Sequence, residues 1–220
     1  MRTFCATLIA VATALAGTEA LAQDKWSLNG GDTVRNGGDM IAGEFGWPDA
    51  SFQWSHGTSD KVDVGLRFSL LYGVEYTTDF THFGVGLGVP IRIQVARSNK
   101  ISALVFLEPG LRVYTANQFS NHAAFGPEWP VGVQLGIHVT PELTITAGLL
   151  FHMWLDVTEP GNLNPIFVMA PLTGVGVEYH VDHNLGVGLD MKFGPTVLLV
   201  GGNDDEEFGM KLQAGIIYHL

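Results

Sequence analysis

The chain is 220 residues long, the size of one large all-β domain, so a multidomain architecture is not expected. Its 22 Asp+Glu against 11 Lys+Arg leave a formal charge of -11, which repels a phosphate backbone and excludes general nucleic-acid binding. Only 15% of residues are charged while 46% are hydrophobic, which excludes disorder and an ordinary highly charged surface in water.

Residues 1–22 read as a secretory signal peptide. Arg2 supplies the positive start, residues 4–17 an apolar run, and Ala20-Leu21-Ala22 the small-x-small pattern that puts cleavage after Ala22. The run is shorter than the roughly 20 residues of a membrane-spanning helix. The single cysteine, Cys5, lies inside it, so no disulfide, thiolate metal site or Cys nucleophile is expected in the mature chain. Residues 23–38 are expected to form an N-terminal periplasmic segment, in which Asn29-Gly30-Gly31-Asp32 recurs as Asn36-Gly37-Gly38-Asp39. Two copies are too few for a repeat structure and read as turns.

Residues 39–220 carry a period of two. Residues 40–47 and 51–56 form a short, noisy hairpin pattern. After it, Val62, Val64, Leu66, Phe68, Leu70, Tyr72, Val74 and Tyr76 alternate with Asp63, Gly65, Arg67, Ser69, Leu71, Gly73 and Glu75. The same alternation returns over residues 83–95, 101–113, 131–139, 143–155, 167–181, 185–193 and 208–220. Only a strand places i and i+2 on one face, so the pattern predicts ten antiparallel strands, or eight if residues 40–56 stay outside the wall. Connections near 57–60, 97–100, 140–142 and 182–184 are short; those at 116–128, 157–165 and 194–207 are long.

The two faces differ in kind. From residue 62 onward the apolar parity holds no charge and no glycine. The other is rich in glycine and carries Asp63, Arg67, Glu75, Arg92, Glu108, Arg112, Glu178, Asp190, Lys192 and Lys211. Either the apolar face is a dry interior, or it faces lipid and the mixed face lines a narrow lumen. Strands this long exceed the five or six residues usual in soluble sheets and reach the about 9–11 that cross a bilayer. Small glycines on the concave side leave room for long charged side chains. Aromatics near strand ends, among them Trp47, Trp54, Tyr72, Tyr76, Phe83, Trp129, Phe167, Tyr179, Phe208 and Tyr218, fit interfacial girdles.

With alternating short and long connections and a final strand Gln213-Ala214-Gly215-Ile216-Ile217-Tyr218-His219-Leu220, the chain resembles the small outer-membrane β-barrel proteins of Gram-negative bacteria. In that resemblance Gln213, Gly215, Tyr218 and Leu220 are the C-terminal assembly signal, with Leu220 where Phe or Trp is more usual. It implies a closed transmembrane barrel over residues 39–220, short periplasmic turns, longer extracellular loops and insertion by the outer-membrane assembly machinery. Lipid and lipopolysaccharide are then the expected surroundings.

Inside such a barrel the ten charges are expected to form a salt-bridged network that largely plugs the lumen, since buried charge is tolerated only when paired. Asp190 falls opposite Lys211 if Phe193 pairs with Phe208, and Arg92 lies within diagonal reach of Glu108. Prolines 90, 109, 171 and 195 interrupt strands, and bulges are the expected remedy. Pro171 and Pro195 sit at similar heights on one hairpin and are expected to loosen the wall there. Glu75 and His82 are weak catalytic candidates: a carboxylate orients an imidazole that takes a hydroxyl proton, but Ser69 lies about 20 Å away at roughly 3.3 Å per residue. His152 with Asp156, and Glu178 with His180, are further pairs. The acidic segment Asn203-Asp204-Asp205-Glu206-Glu207 reads as a solvated loop tip. No cofactor and no metal are expected. The favoured function is structural or surface-interaction; a narrow channel, a rim hydrolase or acyltransferase, and a soluble periplasmic ligand-binding barrel remain beside it.

Overall fold

The computed structural model describes residues 25–74, 83–114, 123–158, 165–200 and 203–220. The expected signal peptide lies outside them. Ten strands follow one another: β1 (Asp39–Trp47), β2 (Asp49–Ser59), β3 (Val62–Leu71), β4 (Gly84–Gly88 and, past Pro90, Ile91–Arg97), β5 (Ile101–Leu107 and, past Pro109, Gly110–Tyr114), β6 (Ala124–Glu128 and, past Pro130, Val131–His138), β7 (Leu143–Thr158), β8 (Ile166–His180), β9 (Leu185–Val200) and β10 (Asn203–His219). Each pairs antiparallel with its neighbour, and β10 returns to β1 from Met40↔His219 to Trp47↔Leu212. The sheet is a closed ten-stranded barrel, with the hairpin β1–β2 in the wall.

The predicted alternation sets which side faces out. Leu87, Ile145 and Phe208 are 57%, 45% and 67% exposed, whereas Arg92 and Arg112 on the other parity are 3% and 2% exposed. Trp54, Tyr179 and Tyr218 lie on the outer face toward the short-turn end, and Phe83, Phe125 and Phe208 toward the other.

Three strand breaks are aligned. Pro90, Pro109 and Pro130 stand on adjacent strands, and each lacks a ladder donor. The expected bulges are not the remedy at these sites. Instead the preceding amide reaches the next strand: Val89 N–H donates to the Pro109 carbonyl, Glu108 N–H to Pro130 and Trp129 N–H to Met153, while Gly65 N–H donates to Pro90. The register irregularities lie elsewhere, at Gly57/Ser59 and Gln94/Ala96.

The last hairpin also departs from expectation. Residues 194–200 and 203–207 are strand in place of the expected long loop: β9 and β10 stay paired up to Val200↔Asn203. Continuing the strands through the acidic segment shifts the register by two, so Pro195 faces Phe208, Lys192 faces Lys211 and Asp190 faces Gln213. Parity survives a shift of two, but the expected Asp190–Lys211 pairing does not.

A Cβ on Gly126 would fall on the Leu155 carbonyl oxygen, whereas Gly43 opens to free space. Gly126→Ala is expected to destabilise the fold by about 1–3 kcal/mol, the usual range for overpacking. Gly43→Ala should stay within about 0.5 kcal/mol. Equilibrium urea unfolding followed by Trp fluorescence checks both.

Candidate functional site

The lumen is filled at three levels. At the short-turn end, residues 25–34 leave the wall and fold inward, so the segment expected to precede the barrel packs within it. It has no period of two to pair as a strand, and its glycines permit close approach: a Cβ on Gly31 would collide with the Ser102 backbone. Wall side chains satisfy its backbone. The Glu178 carboxylate accepts from Leu28 N–H at 3.0 Å, Asn29 N–H at 2.6 Å and the Ser27 hydroxyl. Arg92 donates to the Ser27 and Asp32 carbonyls at 2.7 and 2.8 Å, and Gln94 to the Gly31 carbonyl at 2.9 Å. Asp63 accepts from Val34 N–H at 2.9 Å.

Trp26, Leu28 and Val34 of the segment join Met40, Ala42 and Ile217 in an apolar cluster, with Trp26 stacked 4.4 Å from His180. Positive φ at Arg35 and Gly37 then turns the chain into β1. The two Asn-Gly-Gly-Asp copies therefore differ: the first sits in the lumen, and the second makes the turn that leads out.

Asp32 anchors the plug. Its carboxylate accepts from Ser102 Oγ at 2.9 Å and Gln94 Nε2 at 3.3 Å, and lies 3.2 Å from His138 and 3.5 Å from Arg97. Burial opposes its ionisation, but His138, Arg97 and Ser102 hold the carboxyl below its ordinary range.

The middle level is ionic. Arg67 contacts Glu44 at 2.9 Å and both Asp49 and Glu108 at 3.8 Å. Asp49 also accepts from Lys211 at 3.0 Å and Gln213 at 2.7 Å. Lys192 binds Asp190 two residues away on its own strand. Arg112 grips Asp156 through Nε at 3.3 Å and Nη2 at 3.1 Å, its guanidinium 4.0 Å from the Trp154 ring centre. His152 Nε2 lies 3.2 Å from Glu128. Among these groups a cavity of about 90 Å³ remains, enough for a few waters.

Above lies an apolar level, where Tyr114, Leu150, Trp154, Ile166, Val168, Ala170, Leu172 and Leu198 pack together inside the barrel.

Of the ten charges predicted to line the lumen, Asp63, Arg92 and Glu178 hold the N-terminal segment. Arg67, Glu108, Arg112, Asp190, Lys192 and Lys211 lie in the middle level; Glu75 falls outside the described residues. Arg92 does not reach for Glu108; it lies 3.4 Å from Asp63, and the plug carbonyls capture it. Asp32, Asp49 and Glu128 join the network without having been predicted from sequence, as does Asp156, expected only as a partner of His152. Extending the alternation through Asp49-Ser51-Gln53-Ser55 and through His152-Trp154-Asp156 would find two of them.

Glu75 and His82 both lie outside the described residues. Asp156 is held by Arg112 rather than His152, and Glu178 binds the plug while His180 stacks on Trp26. In the terminal strand, Gln213 is buried and bonds Asp49, Gly215 packs beside Glu44, and Tyr218 and Leu220 point outward. Among the described residues no group of three or more His, Asp or Glu is placed to hold a metal ion. The sequence matches no protein-family model and no curated protein.

A carboxyl held low adds stability above its unfolded value of about 4 and loses it as the pH falls through the folded value. The N-terminal segment should therefore resist proteolysis at neutral pH and loosen only under acid, and Asp32→Asn should make it protease-sensitive at pH 7. For the Arg112–Asp156 pair, Arg112→Met strands a buried carboxylate and should cost about 3–5 kcal/mol in urea unfolding, most of it recovered in Arg112→Met/Asp156→Leu.

Proposed function

We propose that the protein is an integral outer-membrane β-barrel of structural or surface-interaction type, its lumen closed by paired charges and by its own N-terminal segment. The observation that carries this reading is the inversion of the usual order, apolar side chains outside and ionic ones within. In water the outer face would be an apolar belt around the whole molecule, far beyond the few hundred Å² that soluble monomers expose. In hydrocarbon the same belt is well solvated, and a closed barrel leaves no unpaired sheet edge.

Lipid and lipopolysaccharide are the partners of the belt and its rims. The terminal strand, zipped onto β1, is the segment offered to the assembly machinery. A closed lumen is favoured over a narrow channel because three successive levels fill it. A structural role is favoured over rim catalysis because Asp156, Glu178 and His180 are engaged in packing and ion pairs, and His152 lies against Glu128.

Membrane fractionation tests the reading. The protein should stay in the membrane pellet after a carbonate wash and migrate faster on gels unheated than boiled. Release into the wash with no heat-dependent migration would favour the soluble ligand-binding barrel. In planar bilayers the wild type should show no steady conductance, whereas steady openings whose size changes in a folded Arg67→Ala variant would favour the channel.

A further inference from the structure

The contact between β8 and β9 differs from every repaired break. The two strands keep one register throughout, from Ile166↔Val200 to Met169↔Val197 and again from Thr173↔Phe193 to His180↔Gly186. That register sets Pro171 directly opposite Pro195. On such a rung both donors are missing at once. No backbone pairing joins Ala170, Pro171 and Leu172 to Gly194, Pro195 and Thr196. The wall is unlaced for about 13 Å, four steps at roughly 3.3 Å per residue. The amide before Pro171 does not face this gap: His180 N–H points to the Glu142 carbonyl on the β7 side, and strand alternation points Ala170 N–H the same way. The outer flanks remain laced, through Phe151↔Pro171 to β7 and Pro195↔Phe208 to β10.

Two further observations converge on this place. The side chains behind the seam are apolar: Val168, Ala170, Leu172 and Leu198 belong to the upper cluster. Thr196, on the inward parity of β9, is 0% exposed, and its hydroxyl has no hydrogen-bond partner. A buried hydroxyl without a partner is costly, and here it stands beside the one unlaced stretch between β8 and β9.

We propose that this seam is a lateral binding site for the acyl chain of an ester lipid, a reading that rests on the membrane assignment above. The chain enters between β8 and β9 and lies against Leu172 and Leu198, while its ester carbonyl oxygen accepts from the Thr196 hydroxyl. Parting the strands here breaks side-chain contacts but no backbone ladder, and apolar surface on both sides of the wall suits a hydrocarbon chain.

The test uses the full chain in phosphatidylcholine vesicles containing a small fraction of phosphatidylcholine with a diazirine on one acyl chain, irradiated and mapped by mass spectrometry. Adducts are expected on inward Leu172 and Leu198 as well as on outward Phe193. Pro171→Val/Pro195→Val restores both donors and should reduce the inward adducts roughly tenfold, as two regained hydrogen bonds imply, leaving Phe193 unchanged. Labelling of Phe193 without Leu172 or Leu198 in the wild type overturns the seam alone, whether or not the variant folds. Inward labelling that persists in a folded double variant also overturns it. Absence of adducts on Phe193 and all other outward residues overturns the membrane assignment and the seam together.

Discussion

Ten strands carry apolar side chains on one parity and charge on the other, and the wall they form closes with the charges inside. Closure pairs β10 with β1 and leaves no edge. It also confines Arg67, Arg92, Arg112, Lys192 and Lys211 to a space too narrow to hydrate each of them fully. The organisation of the lumen follows from that confinement, since every buried charge must find a partner or displace something that has one.

The partners come from three sources. Some lie across neighbouring strands, as Asp63 lies opposite Arg92. Others lie two strands apart, as Arg112 of β5 meets Asp156 of β7 over Gly126 of β6. The rest are backbone groups of residues 25–34, which enter the lumen and place amides against Glu178 and carbonyls against Arg92. The inward glycines make this possible by keeping the wall thin where side chains and the segment must pass. Burial of the ionic groups and exposure of the apolar ones are therefore two consequences of one closure.

Alternation alone makes the strand count, the closed barrel and the inward parity legible in the sequence. It does not reveal the plug, because a segment bound through its own backbone carries no periodic signal; its paired Asn-Gly-Gly-Asp copies look alike although one is buried and one turns. Partner choice is hidden too. The acidic residues 203–207 resemble a loop tip, and nothing local to the strands marks them as paired, so the register expected for the hairpin β9–β10 is two residues off. Reach along the sheet points Arg92 toward Glu108 only while the inserted segment is left out of account. Prolines 90, 109 and 130 likewise find their repair on neighbouring strands, which lie far away in the chain.

The central claim is that hydrocarbon solvates the outer face, and accessibility of nitroxide labels in lipid vesicles tests it most directly. Single cysteines are introduced at outward Leu87 and Ile145 and at inward Gly148, and collisions with oxygen and with a water-soluble nickel chelate are compared. Leu87 and Ile145 should collide readily with oxygen and scarcely with the chelate, and Gly148 should be shielded from the lipid phase. Strong chelate collisions at Leu87 and Ile145 in vesicle-bound protein would place that face in water and contradict the account.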